Sequence, residues 1–189
     1  MRIKEYIDRL KNGNARFVED RLEGKLQNSL RRESLISGQQ PYAIILSCAD
    51  SRVVPEIIFD TGLGELFVVR VAGNVANSSS VASIEYAVAH LGTKLIVVLG
   101  HQSCGAVTAA VQGGDNGYNL NHLLSHITPA IDALKEGASV NNIAKKNAEI
   151  TVGELITKSE IIKNATDMAD LKVIHAYYNL DSGKVDFFG

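Results

Sequence analysis

Short apolar runs separated by polar, turn-rich stretches set the rhythm of this chain. AIILS at 43–47, LFVVRV at 66–71, LIVVL at 95–99 and KVIHAY at 172–177 read as strands. Each run is nearly continuous in apolar residues rather than alternating, the pattern of a strand covered on both faces in a parallel sheet. Helices are predicted over 54–60, 79–90, 105–112, 120–136 and 140–157, and right-handed crossovers would place them on the two sheet faces. At the start, Ile3, Ile7 and Leu10 follow helical spacing, break near Gly13, and resume with Phe17 and Val18. This predicts a helical arm over about 3–22 that packs on its own domain or wraps a partner, followed by a short helix or loop over 26–40. At the end, YYNLDSGKVDFF places Asp181, Ser182 and Gly183 between two aromatic or branched runs, a hairpin signal that adds an antiparallel edge strand at 185–188. An apolar edge of that kind needs a partner or a cover. The expected fold class is therefore α/β: a central, mainly parallel sheet with flanking helices, an N-terminal helical arm and a C-terminal antiparallel edge strand. Its expected organisation is one domain over 1–189, with the arm at 1–40 and the α/β core at 41–189, and there is no internal repeat.

Length and composition narrow the function classes. A chain of 189 residues is long enough for one substantial core. Nineteen basic against 21 acidic residues give a formal charge of −2, so no basic footprint suggests nucleic acid. No apolar run reaches membrane-spanning length. MRIKEYIDRL carries charges throughout and lacks the apolar segment of a secretory signal. With two cysteines there is no disulfide framework, and reduced thiols suit a cytoplasmic location.

Those two cysteines carry the chemistry. Cys48 and Cys104 each fall at or just after an apolar run, and His101 stands three positions before Cys104. In an open α/β sheet the carboxyl edge of the strands is where sites are built. One imidazole and two thiolates form a known ligand set for catalytic zinc, with a fourth position left open. Asp50 and Arg52 follow Cys48 at two and four residues and can reach the same crevice, where a guanidinium can fix a carboxylate through two parallel hydrogen bonds. Asp50 can then accept a proton from water or, released by Arg52, ligate the metal itself. Gly105 lets the chain turn closely into the helix GAVTAAV, whose first N–H groups favour the Cys104 thiolate.

The chain resembles the β-class carbonic anhydrases. The matching segments are Cys48-Ala49-Asp50-Ser51-Arg52 and His101-Gln102-Ser103-Cys104-Gly105, with ELFVVRVAGN at 65–74, IEYAV at 84–88 and the N-terminal RLKNGNARFV in support. The resemblance implies reversible hydration of carbon dioxide to bicarbonate, with one Zn²⁺ per chain on Cys48, His101 and Cys104 and with Asp50 and Arg52 as a catalytic dyad. It also implies a homodimer, or a homotetramer of two dimers, with the sites at the dimer interface and Gln39, Phe67 and Tyr86 lining the substrate pocket; Ala72 and Gly105 complete the wall. A subgroup regulated by bicarbonate carries tryptophan three residues before the first zinc cysteine. Here that position is Ile45, the chain has no tryptophan, and Gln39 matches the open, plant-like subgroup. Two alternatives use the same residues: a hydrolase of carbonyl sulfide or carbon disulfide, and a non-catalytic zinc-containing binding domain. A structural zinc site usually closes with four protein ligands, so the neighbouring Asp50 and Arg52 argue against the latter.

Other features take ordinary readings. Gly100 to Gly105 lacks the following Gly-Lys-Ser/Thr of a phosphate loop. GGDNG at 113–117 is a flexible turn between helices. His122 and His126 lie one helical turn apart without an H-E-x-x-H pattern and read as surface or interface residues. His90 closes the helix that contains Tyr86, and His175 sits within a core strand.

Overall fold

The computed structural model describes residues 2–189; Met1, where the expected domain and arm begin, lies outside them. Its centre is a five-stranded sheet in the order β2-β1-β3-β4-β5. The strands are β1 (Ala43–Ser47), β2 (Leu66–Arg70), β3 (Leu95–His101), β4 (Lys172–Tyr178) and β5 (Val185–Phe188). The first three pairings are parallel and β4–β5 is antiparallel, joined by the expected hairpin with Gly183 at φ 72°.

Every residue of β1 and β3 is buried, which accounts for their unbroken apolar runs. Alternate side chains feed two cores. Ile45, Leu95, Val97 and Leu99 face one side with Ile174 and Ala176, whereas Ile44, Leu46, Ile96 and Val98 face the other against Val81, Ile84 and Leu155. Truncating one such side chain, as in Leu99→Ala, is expected to cost about 2–5 kcal/mol.

The chain leaves β1 toward β2 on one side and returns across it to β3 on the other. The strand order therefore reverses between β1 and β3, and their carboxyl ends splay apart at that point. The register sets Ser47 opposite Leu99, so Cys48 emerges beside the end of β3, where His101 is the last residue.

The helices differ from the sequence expectation at their joins. Helix α1 (Ile3–Val18) runs unbroken through Gly13, whose missing Cβ lets the helix approach the Phe59 carbonyl. Of the two options for the arm, α1 packs on its own domain. Leu10 is fully buried and Tyr6 stacks on Tyr42. Asn14 donates to the carbonyls of Ile58 (3.2 Å) and Gly183 (2.9 Å) and accepts from the Val185 amide (2.8 Å). Helix α2 (Ser29–Ser34) occupies the polar stretch before Pro41, and α3 (Pro55–Ile58) and α4 (Ser78–Leu91) fall close to their expected ranges.

After α5 (Gly105–Gln112), the expected 120–136 helix is two: α6 (Tyr118–Ser125) and α7 (Thr128–Asp132), with Pro129 starting the second. Helix α8 (Val140–Lys158) stops at Ser159, whose hydroxyl accepts from the Ile162 amide at 3.1 Å and opens a further helix, α9 (Glu160–Asp167). No helix of the described residues is long and apolar enough to cross a membrane.

Candidate metal centre and acid–base pair

Cys48, His101 and Cys104 converge at the strand-order reversal. Their ligand atoms all lie within 4.8 Å of one another, and among the described residues they form the one such cluster of three metal-ligating side chains. Cys48 is 4% exposed, His101 0% and Cys104 1%, so the donors face one another rather than solvent. Gln102 and Ser103 make the turn between the two ligands of the second motif. Ser103 takes a left-handed φ of 53°, and its amide donates to Asn141 Oδ1 at 2.9 Å. Cys104 is the N-cap residue of α5, and the nearby amides of Ala106 and Val107 favour its thiolate.

The donor set fits a zinc ion. His101 Nδ1 lies 2.9 Å from the Gln102 carbonyl oxygen and so carries the proton. That leaves a bare lone pair on Nε2, a buried atom without any partner. An imidazole nitrogen held this way beside two sulfurs lacks only a cation. The thiols show the same need. The hydrogen bond from Cys104 pulls Cys48 down to about 4 against the cost of burial, with help from the amides of Gly73 and Asp50. That same bond, together with burial and the Cys48 charge, pushes Cys104 up. The pair thus shares one proton, which a bound dication would displace.

Beside this cluster Asp50 is held by Arg52. Asp50 Oδ1 accepts from the Arg52 amide and Nε, both at 2.9 Å, and Oδ2 accepts from Nη2 at 2.8 Å. The Arg52 bonds hold the Asp50 carboxyl down to about 2. Arg52 Nη2 also reaches the Ser103 carbonyl at 3.3 Å, linking the first motif to the second. Asp50 is not part of the three-ligand cluster.

Sequence reasoning missed the residues that brace the site. Arg70, the last residue of β2, donates from Nε to the Cys48 carbonyl (3.1 Å) and from Nη2 to the Asp50 carbonyl (2.7 Å). It fixes the segment that carries both a candidate ligand and the candidate base. Gln102 exchanges hydrogen bonds with Asp181, 3.1 Å to its carboxylate and 3.2 Å from its amide, and so ties the β4–β5 hairpin to the ligand loop. The only sequence signal for Arg70 was a charge ending an otherwise apolar strand.

The expected pocket residues are scattered within one chain. Ala72 opens a 3-10 turn over Ala72–Asn74, and the Gly73 amide of that turn donates to Cys48 Sγ at 3.3 Å. Around Gly105 the space is open, since a Cβ there would meet nothing within 4 Å. Phe67 and Tyr86 form an aromatic pair with centroids 6.4 Å apart beside the free edge of β2, and Tyr86 is 50% exposed. His90 continues that ladder 5.1 Å from Tyr86. Gln39 lines a separate cavity of about 550 Å³ with Arg32, Leu35 and Gly64. His122 and His126 pack edge to face at 5.4 Å, with no third metal-ligating side chain joining them among the described residues. His175 stacks on Phe188 in β4.

The family profile described as Carbonic anhydrase matches residues 43–185, a span that includes both ligand motifs, Asp50 and Arg52. This chain belongs to the β-class carbonic anhydrases. Carbonic anhydrase 2 of Mycobacterium tuberculosis is 41% identical over 181 residues, covering 93% of this chain and 87% of that protein. The carbonic anhydrase of Mycolicibacterium smegmatis is 40% identical over 183 residues, covering 94% and 89%. Among solved structures, a tetrameric β-carbonic anhydrase of Sordaria macrospora superposes with a TM-score of 0.75 at 29% identity, covering 84% of this chain and 85% of that one. A β-carbonic anhydrase of Aspergillus fumigatus gives 0.72 at 30% identity, covering 83% and 79%.

Proposed function

We infer that this carbonic anhydrase interconverts carbon dioxide and bicarbonate with one zinc ion per chain, held by Cys48, His101 and Cys104, and with Asp50 and Arg52 as its acid–base pair. The observation that carries the assignment is the meeting of two thiols with a partnerless buried imidazole nitrogen beside a guanidinium-bound carboxylate. Bound zinc would supply Lewis acidity, making water acidic enough to act as a nucleophile near neutral pH.

The protein's own groups do the rest. Arg52 keeps Asp50 ionised and fixes the direction of its oxygens. Oδ2 takes only one hydrogen bond from Arg52, so its second lone pair is free to accept a hydrogen bond from the attacking water and aim it at carbon. The Gly73 amide and the amides at the start of α5 stabilise the two thiolates. Because two thiolates offset the charge of the metal, the rate should rise toward alkaline pH.

The smallest active unit in this reading is a homodimer, with Gln39, Phe67, Tyr86 and Ala72 brought over the metal centre as the walls that hold an uncharged substrate, and Gly105 leaving room for it. The tetrameric relative from Sordaria macrospora and the half-exposed Tyr86 beside β2 support assembly. The reduced thiols it requires suit the cytoplasm. Stopped-flow hydration of carbon dioxide by the zinc-loaded protein, with carbonyl sulfide as the comparison substrate, tests the reading. Faster turnover of carbon dioxide supports it, and a preference for carbonyl sulfide overturns it.

A further inference from the structure

We propose that Asn147 is a positioning residue for the metal centre, acting through the 71–75 turn on the Cys48 sulfur. Asn147 lies in α8, outside both ligand motifs, and is 1% exposed. Its Nδ2 donates to the Gly73 carbonyl at 2.8 Å, while the Gly73 amide donates to Cys48 Sγ at 3.3 Å. One residue therefore receives the Asn147 bond at its carbonyl and delivers another to the sulfur at its amide.

The direction of that delivered bond depends on the backbone angles of Gly73, which sit in the left-handed region at φ 71°, ψ 14°. Few side chains tolerate this conformation, and Ile127 packs where a Cβ would stand. Asn147 pins the carbonyl half of the same residue. Without that donor, the Gly73 carbonyl is left unsatisfied against the apolar cluster around the cysteines, and the turn relaxes toward another partner. An amide aimed at a thiolate stabilises its charge and fixes its direction, and losing such an outer hydrogen bond loosens a bound metal. The Asn147 amide thus adjusts the metal without touching it.

The inference rests on Cys48 being a ligand, and cobalt separates the two questions. In Co²⁺-loaded protein a thiolate ligand gives a near-ultraviolet sulfur-to-cobalt absorption band, which Cys48→Ser should weaken. Asn147→Leu should keep the band, shift its position and speed cobalt release to a chelator by about 10-fold. Asn147→Gln, which retains a donor, should recover part of the release rate. Gly73→Ala disturbs the same turn directly and should shift the band as Asn147→Leu does; it carries the test if Asn147→Leu does not fold. Thr151→Val removes the bond from Thr151 Oγ1 to the Asn147 carbonyl one turn along α8, and it should lower stability without moving the band. An unshifted band and an unchanged release rate in Asn147→Leu or Gly73→Ala, with the band present in the parent protein, would overturn the proposal while leaving Cys48 as a ligand. A parent protein whose band ignores Cys48→Ser would overturn both.

Discussion

The proposed reacting half of the site and its proposed substrate-holding half are built differently. Cys48, Asp50, Arg52, His101 and Cys104 lie at or just beyond the ends of two adjacent strands and meet within one chain, with Asp50 and Arg52 already paired. Phe67 and Tyr86 pair beside the edge of β2, with Tyr86 half exposed, and Gln39 lines a different cavity. The contrast teaches that the topology of one sheet suffices to gather the proposed ligands and acid–base pair, whereas the proposed substrate walls would need a second surface. The first half should accordingly answer to single-residue chemistry and the second to assembly.

The largest effect is expected in the reacting half. Asp50→Asn keeps the shape but removes the charged acceptor, and should slow carbon dioxide hydration by about 10²-fold with the metal retained. Arg52→Ala should give a loss of similar size, because Asp50 loses the group that restrains both its oxygens. Stopped-flow rates beside metal analysis check both. Wild-type rates with the metal in place would make the pair a scaffold. In the substrate-holding half, Tyr86→Ala should reduce kcat/KM by about tenfold, one side chain's worth of apolar contact, and light scattering should find the active parent protein as a dimer or a multiple of it. A fully active monomer, indifferent to Tyr86, would erase the distinction between the halves.

How far each half was legible follows from the same difference. Continuous apolar runs ending in CADSR and GHQSCG announced buried parallel strands with chemistry at their tips, and all five strands fall where the pattern put them. The braces left no such trace. Arg70 acts across 22 residues to the Cys48 carbonyl and Asn147 across 74 to Gly73, so neither has a periodicity or local spacing to betray it. The helix joins were misread where one residue has two duties. Gly13 looked like a break but is a close contact, and beyond the correctly placed end of α8 Ser159 caps a further helix, α9, that was not expected. Pro129, which divides the expected 120–136 helix, was a local signal open to reading.

The smallest effect is expected far from both halves, where α1 is held to its own domain. Burial raises Asp60, but hydrogen bonds from Arg16 and from the amides of Glu23 and Gly24 outweigh it, so its carboxyl sits below the ordinary range. A carboxylate depressed in the folded state contributes stability that is fully present above its unfolded value of about 4 and is lost as pH falls through the lower folded value. Asp60→Asn should therefore destabilise the protein by about 1–3 kcal/mol at neutral pH, and by progressively less below about pH 4. Urea unfolding at several pH values measures this. A deficit that does not change with pH would show that the charge of Asp60 contributes nothing.

Zinc titration into chelator-stripped protein, followed by the rate of carbon dioxide hydration, tests the central claim most directly. Activity should rise in proportion to zinc, level off at about one ion per chain, and stay at background in Cys104→Ser over the same range. Full activity in the stripped protein, or an undiminished response in Cys104→Ser, would contradict the account.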